Sequence, residues 1–104
     1  MDDLNAPLSV STTDTPAGPV ITVGGELDAS NIDRLRSEVD SQLASRPETL
    51  KFDLSGITFM DTSAIALLIS TTKTGVPVRI LAPSVPVRTV IEMTGLADVL
   101  VMEP

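Results

Sequence analysis

Asp61, Thr62 and Ser63 stand in a row behind a short strand and its turn, residues 50–56, and directly before the apolar run Ala64-Ile65-Ala66-Leu67-Leu68. At such a junction a helix opens, and its first-turn N–H groups have no partner inside the helix. Two hydroxyls and a carboxylate can cap that end, a task for which Ser, Thr and Asp are favoured. They also offer a second chemistry. A phosphate on one hydroxyl would meet aligned backbone donors and the positive end of the helix dipole. The residue types support either a cap or a phosphorylation switch, and alone they do not choose.

Asp28 and Asp53 are the other candidates. With Asp61 they could be imagined around a magnesium ion. Scattered through a chain with 14 acidic residues, they read instead as solvated carboxylates, Asp28 in a turn after a strand and Asp53 at the close of one. No metal and no cofactor is expected. The chain has no His, Cys, Trp or Tyr, so the usual zinc ligands, thiol nucleophiles and histidine acid–base chemistry are missing. Nothing supplies an activated nucleophile with a base beside it. An enzyme is not expected.

A net charge of −7 has the wrong sign for nucleic acid or an anionic membrane. The longest apolar run, residues 64–69, is far too short to span a bilayer. Met1-Asp2-Asp3 begins no basic-then-apolar leader. The expectation is a soluble cytoplasmic domain with no nucleic-acid partner and no direct membrane insertion.

These candidates must be positioned by one domain, which is what 104 residues support. Residues 1–19 read as a polar strand and loop, and 20–101 as the core. Phe52 and Phe59 are the only aromatics, so that core is aliphatic. Residues 8–10 and the β-branched 20–23 predict a hairpin around the breaker-rich 13–19, with Gly24 and Gly25 ending its second strand. Ser30 as N-cap, then Ile32, Leu35, Val39 and Leu43 at helical spacing, predict a first helix that stops before Pro47. A third strand over 50–54 closes in a turn at Ser55-Gly56.

The second helix is expected over 63–72, with Ile65, Leu68, Ile69 and Thr72 inward and Gly75 beyond its end. A fourth strand over 76–82 follows. A third helix opens at Ser84 with Pro86 in its first turn and Val87, Val90, Ile91 and Thr94 inward. Residues 99–101 form a last short strand or a packed tail, and Met60 and Met93 read as packing residues. The alternation predicts an α/β fold: a mixed, mostly parallel sheet of four or five strands, starting with a hairpin and covered by three or more helices.

Gly25-Glu26-Leu27-Asp28, Asp53-Leu54-Ser55-Gly56, Phe59-Met60-Asp61-Thr62-Ser63-Ala64 and Met93-Thr94-Gly95-Leu96 resemble, in order and spacing, the STAS domains of bacterial anti-sigma factor antagonists. The resemblance implies a protein–protein switch in transcription regulation. The unphosphorylated form would bind an anti-sigma factor that is also a serine/threonine kinase and so free the sigma factor. Phosphorylation by that kinase would end the interaction. It places the phosphoacceptor at Thr62, with Ser63 as runner-up, and partner contacts at Asp28, Asp61, Thr62, Ser63 and Ala64.

Thr62 stands where many switching members have Ser, and Ala64 where the family usually has Gly. The chain stops at Pro104, where many members continue into another helix. The same resemblance admits an alternative: a small accessory subunit of an ABC-type lipid transporter, in which the Thr is an unmodified docking contact. Oligomeric state is open between monomer and weak dimer.

Overall fold

Ile21, Val23, Leu50, Phe52, Leu54, Val78 and Ile80 are each 5 % exposed or less, while the residues between them are partly or fully exposed. Burial with a period of two means a sheet with one face against the core. The computed structural model describes residues 7–103. It builds the sheet from β1 (Ser9–Thr15), β2 (Gly18–Leu27), β3 (Leu50–Met60), β4 (Val78–Leu81) and β5 (Val101–Glu103). Helices α1 (Ile32–Leu43), α2 (Thr62–Thr72) and α3 (Val85–Met93) fill the three crossovers. The start of the chain, expected to be polar and without a leader, falls in part outside the described residues.

The strand order is β1-β2-β3-β4-β5, antiparallel at β1–β2 and parallel elsewhere. This is the mixed sheet behind a hairpin that the sequence predicts. Each crossover advances one strand in the same direction. Right-handed connections then put all three helices on one face, and their buried residues join the sheet's in one core cluster. The expected covering is therefore one-sided, and among the described residues the second face of the sheet carries no helix.

Several expected boundaries move. β1 runs on to Thr15, and the turn shrinks to Pro16-Ala17, held by Thr15 Oγ1 donating to the Gly18 carbonyl at 2.7 Å. Gly24, Gly25 and Ser55-Gly56 do not end their strands. β2 and β3 pair through them, with register shifts on either side. The glycines serve a close approach: a Cβ on Gly56 would lie 3.3 Å from the Gly24 Cα. Gly25, at φ 94°, takes the left-handed backbone at the irregularity.

Ser30 is not the cap of α1. That position is Asn31, because the Ser30 hydroxyl is engaged by Asp28. The inner face of α2 is Ala64, Ile65, Leu67, Leu68 and Thr71, with Ile69 and Thr72 only partly buried. In α3, Val87 and Ile91 are buried, while Thr94 lies exposed past the helix end and Met93 is 81 % exposed, so neither packs inward.

Candidate functional site

Three Asp-x-Ser triplets fold alike. In each, one aspartate oxygen accepts both the N–H and the hydroxyl of the serine two residues on. The distances are 2.9 and 2.5 Å for Asp28–Ser30, 3.0 and 2.8 Å for Asp53–Ser55, and 2.9 and 2.5 Å for Asp61–Ser63. This is the local turn that Asp side chains favour over regular structure. At Asp61 the chain continues into α2, so the same turn becomes the helix N-cap.

Two of the triplets are tied together. The Asp61 N–H donates to the Leu27 carbonyl at 3.2 Å, and Asp61 Oδ2 accepts the Ala29 N–H at 3.3 Å. The loop that carries Asp28 is thereby stitched to the head of α2. Asn31 braces that loop from behind: its Oδ1 accepts the Asp28 N–H at 2.9 Å, and its Nδ2 donates to the Glu26 carbonyl at 2.8 Å. Asp28, Asp61, Thr62 and Ser63 thus share one end of the molecule, where β2 and β3 finish. Asp53 lies back along β3, beside Leu81 of β4. Among the described residues no three carboxylates gather as a metal would require.

The two hydroxyls differ sharply. Ser63 is half-buried and its hydroxyl is committed to Asp61. Thr62, the first residue of α2, is exposed, and its hydroxyl has no partner among the described residues. It heads a narrow exposed stripe that continues at Ala66 and Ser70. Ala64, expected among the partner contacts, is fully buried. Two residues past Thr62, the helix turns it toward the sheet, so its methyl offers no docking surface.

The Ser63 hydroxyl is the main reason the Asp61 carboxyl sits below its ordinary value. Partial burial opposes it, and the N–H groups of Ser63, Ala29 and Ala64 reinforce it. Asp61 is therefore a carboxylate at neutral pH. Its contribution to stability is complete above the ordinary aspartate value of about 3.9 and is lost as pH falls through the lowered folded value. Asp61→Ala should cost about 1 kcal/mol at pH 7 and lower Tm by roughly 4–8 °C. Thermal melts of the two proteins should converge as the pH drops below 4 or so.

One surface feature was not among the expected contacts. Phe59, two residues before Asp61, is 48 % exposed. Its neighbours Leu54, Ile57 and Met60 are buried at intervals of three, since the irregular pairing of β3 breaks the two-residue alternation. That spacing was the sequence signal that Phe59 faces out.

The STAS domain family model matches residues 9–104. The chain belongs to the STAS domain family. The fold of this STAS domain is similar to that of an anti-sigma factor antagonist from Mycobacterium paratuberculosis, with a TM-score of 0.87 and 23% identity over 94% of this chain and 86% of that one. It is also similar to the anti-sigma factor antagonist SpoIIAA in its unphosphorylated form, with a TM-score of 0.73 and 21% identity over 94% and 89% of the chains. For the Bacillus cell fate determinant SpoIIAA in the phosphorylated form the values are 0.68, 20%, 94% and 92%. At these identities the likeness speaks for the fold. No curated protein sequence matches the chain. Among the described residues, no helix of this STAS domain is long and apolar enough to cross a membrane.

Proposed function

We propose that this STAS domain is an anti-sigma factor antagonist whose interaction is switched by phosphorylation at Thr62. The observation that carries the reading is the division between two adjacent hydroxyls: Ser63 is held by the cap carboxylate, and Thr62 is exposed and unpartnered. The likeness in fold to antagonists, one of them described in both unphosphorylated and phosphorylated forms, supports it.

In this reading the partner is a cytoplasmic anti-sigma factor with serine/threonine kinase activity. The unmodified end of the domain, with Asp28, Asp61, Ser63 and the exposed Thr62, docks on it and frees the sigma factor. The kinase then moves the γ-phosphoryl group of ATP to Thr62 Oγ1, releasing ADP and the hydroxyl proton. Catalysis belongs to the partner, and the STAS domain acts as substrate and ligand. The phosphate adds about −1.5 to −2 charges next to the ionised Asp61. Charge and bulk on a surface that had fitted the partner end the complex, with no need to refold the domain.

The test is phosphate incorporation from ATP by the kinase, mapped by mass spectrometry on wild type, Thr62→Ala and Ser63→Ala. Label on wild type and Ser63→Ala but not on Thr62→Ala supports the reading. Label that survives Thr62→Ala overturns the assignment. A wild-type chain that takes no label and is recovered with a membrane transporter instead identifies the accessory-subunit alternative.

A further inference from the structure

Parallel sheets are almost always covered on both faces, yet among the described residues the parallel strands β2–β5 carry helices on one face only. On the other face, register aligns Lys51, Arg79 and Val101 in one row across β3, β4 and β5, and Asp53, Leu81 and Glu103 in the next row toward the strand ends. Lys51 and Arg79 are direct cross-strand neighbours, an arrangement of like charges that a lone sheet disfavours. Arg79 Nη1 reaches Glu103 at 2.7 Å. Lys51 has no ion-pair partner among the described residues. A row with Lys51 and Arg79 thus runs beside a row with Asp53 and Glu103, Val101 completing the first and Leu81 sitting within the second.

We infer that a second copy of this chain covers this open face, in a two-fold dimer whose axis lies between the two sheets and runs across the strands. That rotation lays each strand over its own counterpart with the direction reversed. Lys51 of one copy then lies over the other copy's Asp53, and the same contact occurs twice, while Arg79 falls over Leu81 and Val101 over Glu103. An axis along the strands would instead stack cations on cations. The charge pattern selects the first symmetry and rejects the second.

The face is small. Strands about 4.8 Å apart and four residues deep offer on the order of 300 Å² of sheet, against roughly 800 Å² per partner in a stable complex. The dimer is a weak one that fills at high protein concentration. It does not depend on the Thr62 reading, because the rows lie away from that end.

Sedimentation equilibrium of the full chain, from about 10 µM to 1 mM, reads the association directly. The average mass of wild type should rise from 10.9 kDa toward twice that value, and should rise less at high salt. Lys51→Glu and Asp53→Lys should each remain at the monomer mass, because each sets like charges face to face twice. An equimolar mixture of the two should associate again, since residues 51 and 53 then face each other with opposite signs at both contacts. Circular dichroism matching wild type establishes that each variant is folded. If Asp53→Lys fails to fold, Lys51→Glu against wild type carries the test. A wild type that stays monomeric throughout, variants that associate as well as wild type, or a mixture no heavier than its parts overturns the proposal.

Discussion

Under the proposed switch, Thr62→Glu should bind the proposed anti-sigma partner about 100-fold more weakly than wild type, while Thr62→Ala binds close to normally. The added carboxylate stands at the head of α2 beside Asp61, which is ionised at neutral pH. Like charges set together at an interface cost several kcal/mol, and each 1.4 kcal/mol is a factor of ten in affinity. Calorimetric titration of the three proteins into the purified partner reads the difference. Amide spectra of the free variant add a structural check. Shifts should stay at the head of α2 and, through the Asp61 bond to the Ala29 N–H, in the Asp28 loop. Shifts spread across β4 and α3 would mean that the domain refolds, and the blockade account would fail. Equal affinity for Thr62→Glu and wild type would remove the electrostatic switch altogether.

Phe52→Ala should lower Tm by roughly 15–30 °C. Phe52 is fully buried in β3, with Ile21 of β2 and Ile80 of β4 as its neighbours in register. Truncating a buried phenylalanine costs about 3–5 kcal/mol. A domain of this size has on the order of 5–15 kcal/mol in total, and loses about 4–8 °C per kcal/mol. Phe59→Ala, at the exposed ring, should shift stability by only about 0.5 kcal/mol. Thermal melts by circular dichroism compare the two. A Phe52→Ala protein that melts within a few degrees of wild type would mean the surrounding aliphatic side chains close over the cavity.

The helices were legible because their signals are local. Ile32, Leu35 and Val39 repeat at helical spacing and are the buried residues of α1. Asp61-Thr62-Ser63 before an apolar run does open α2. The strands were less so. Gly24, Gly25 and Gly56 read as breakers, whereas their role is close approach and irregular pairing between strands distant in sequence, which no local pattern encodes. The repeated Asp-x-Ser triplet was visible in the chain. What it does not announce is that the Asp61 copy also binds the backbone of Ala29 and Leu27. The bare face followed from strand order. Alternating strands and helices predict crossovers, but only a sheet ordered β1 to β5 in sequence places every helix on one side.

The two phenylalanines are sorted by burial into a sealed ring and an open one, and no other aromatic side chain exists in the chain. In solution this makes the aromatic proton spectrum a two-channel instrument supplied by the protein itself. Phe52 registers whether the core is intact, and Phe59 registers what touches the end that carries Thr62. A titration that moves only the Phe59 signals is docking without unfolding, and it needs no label, tag or introduced tryptophan.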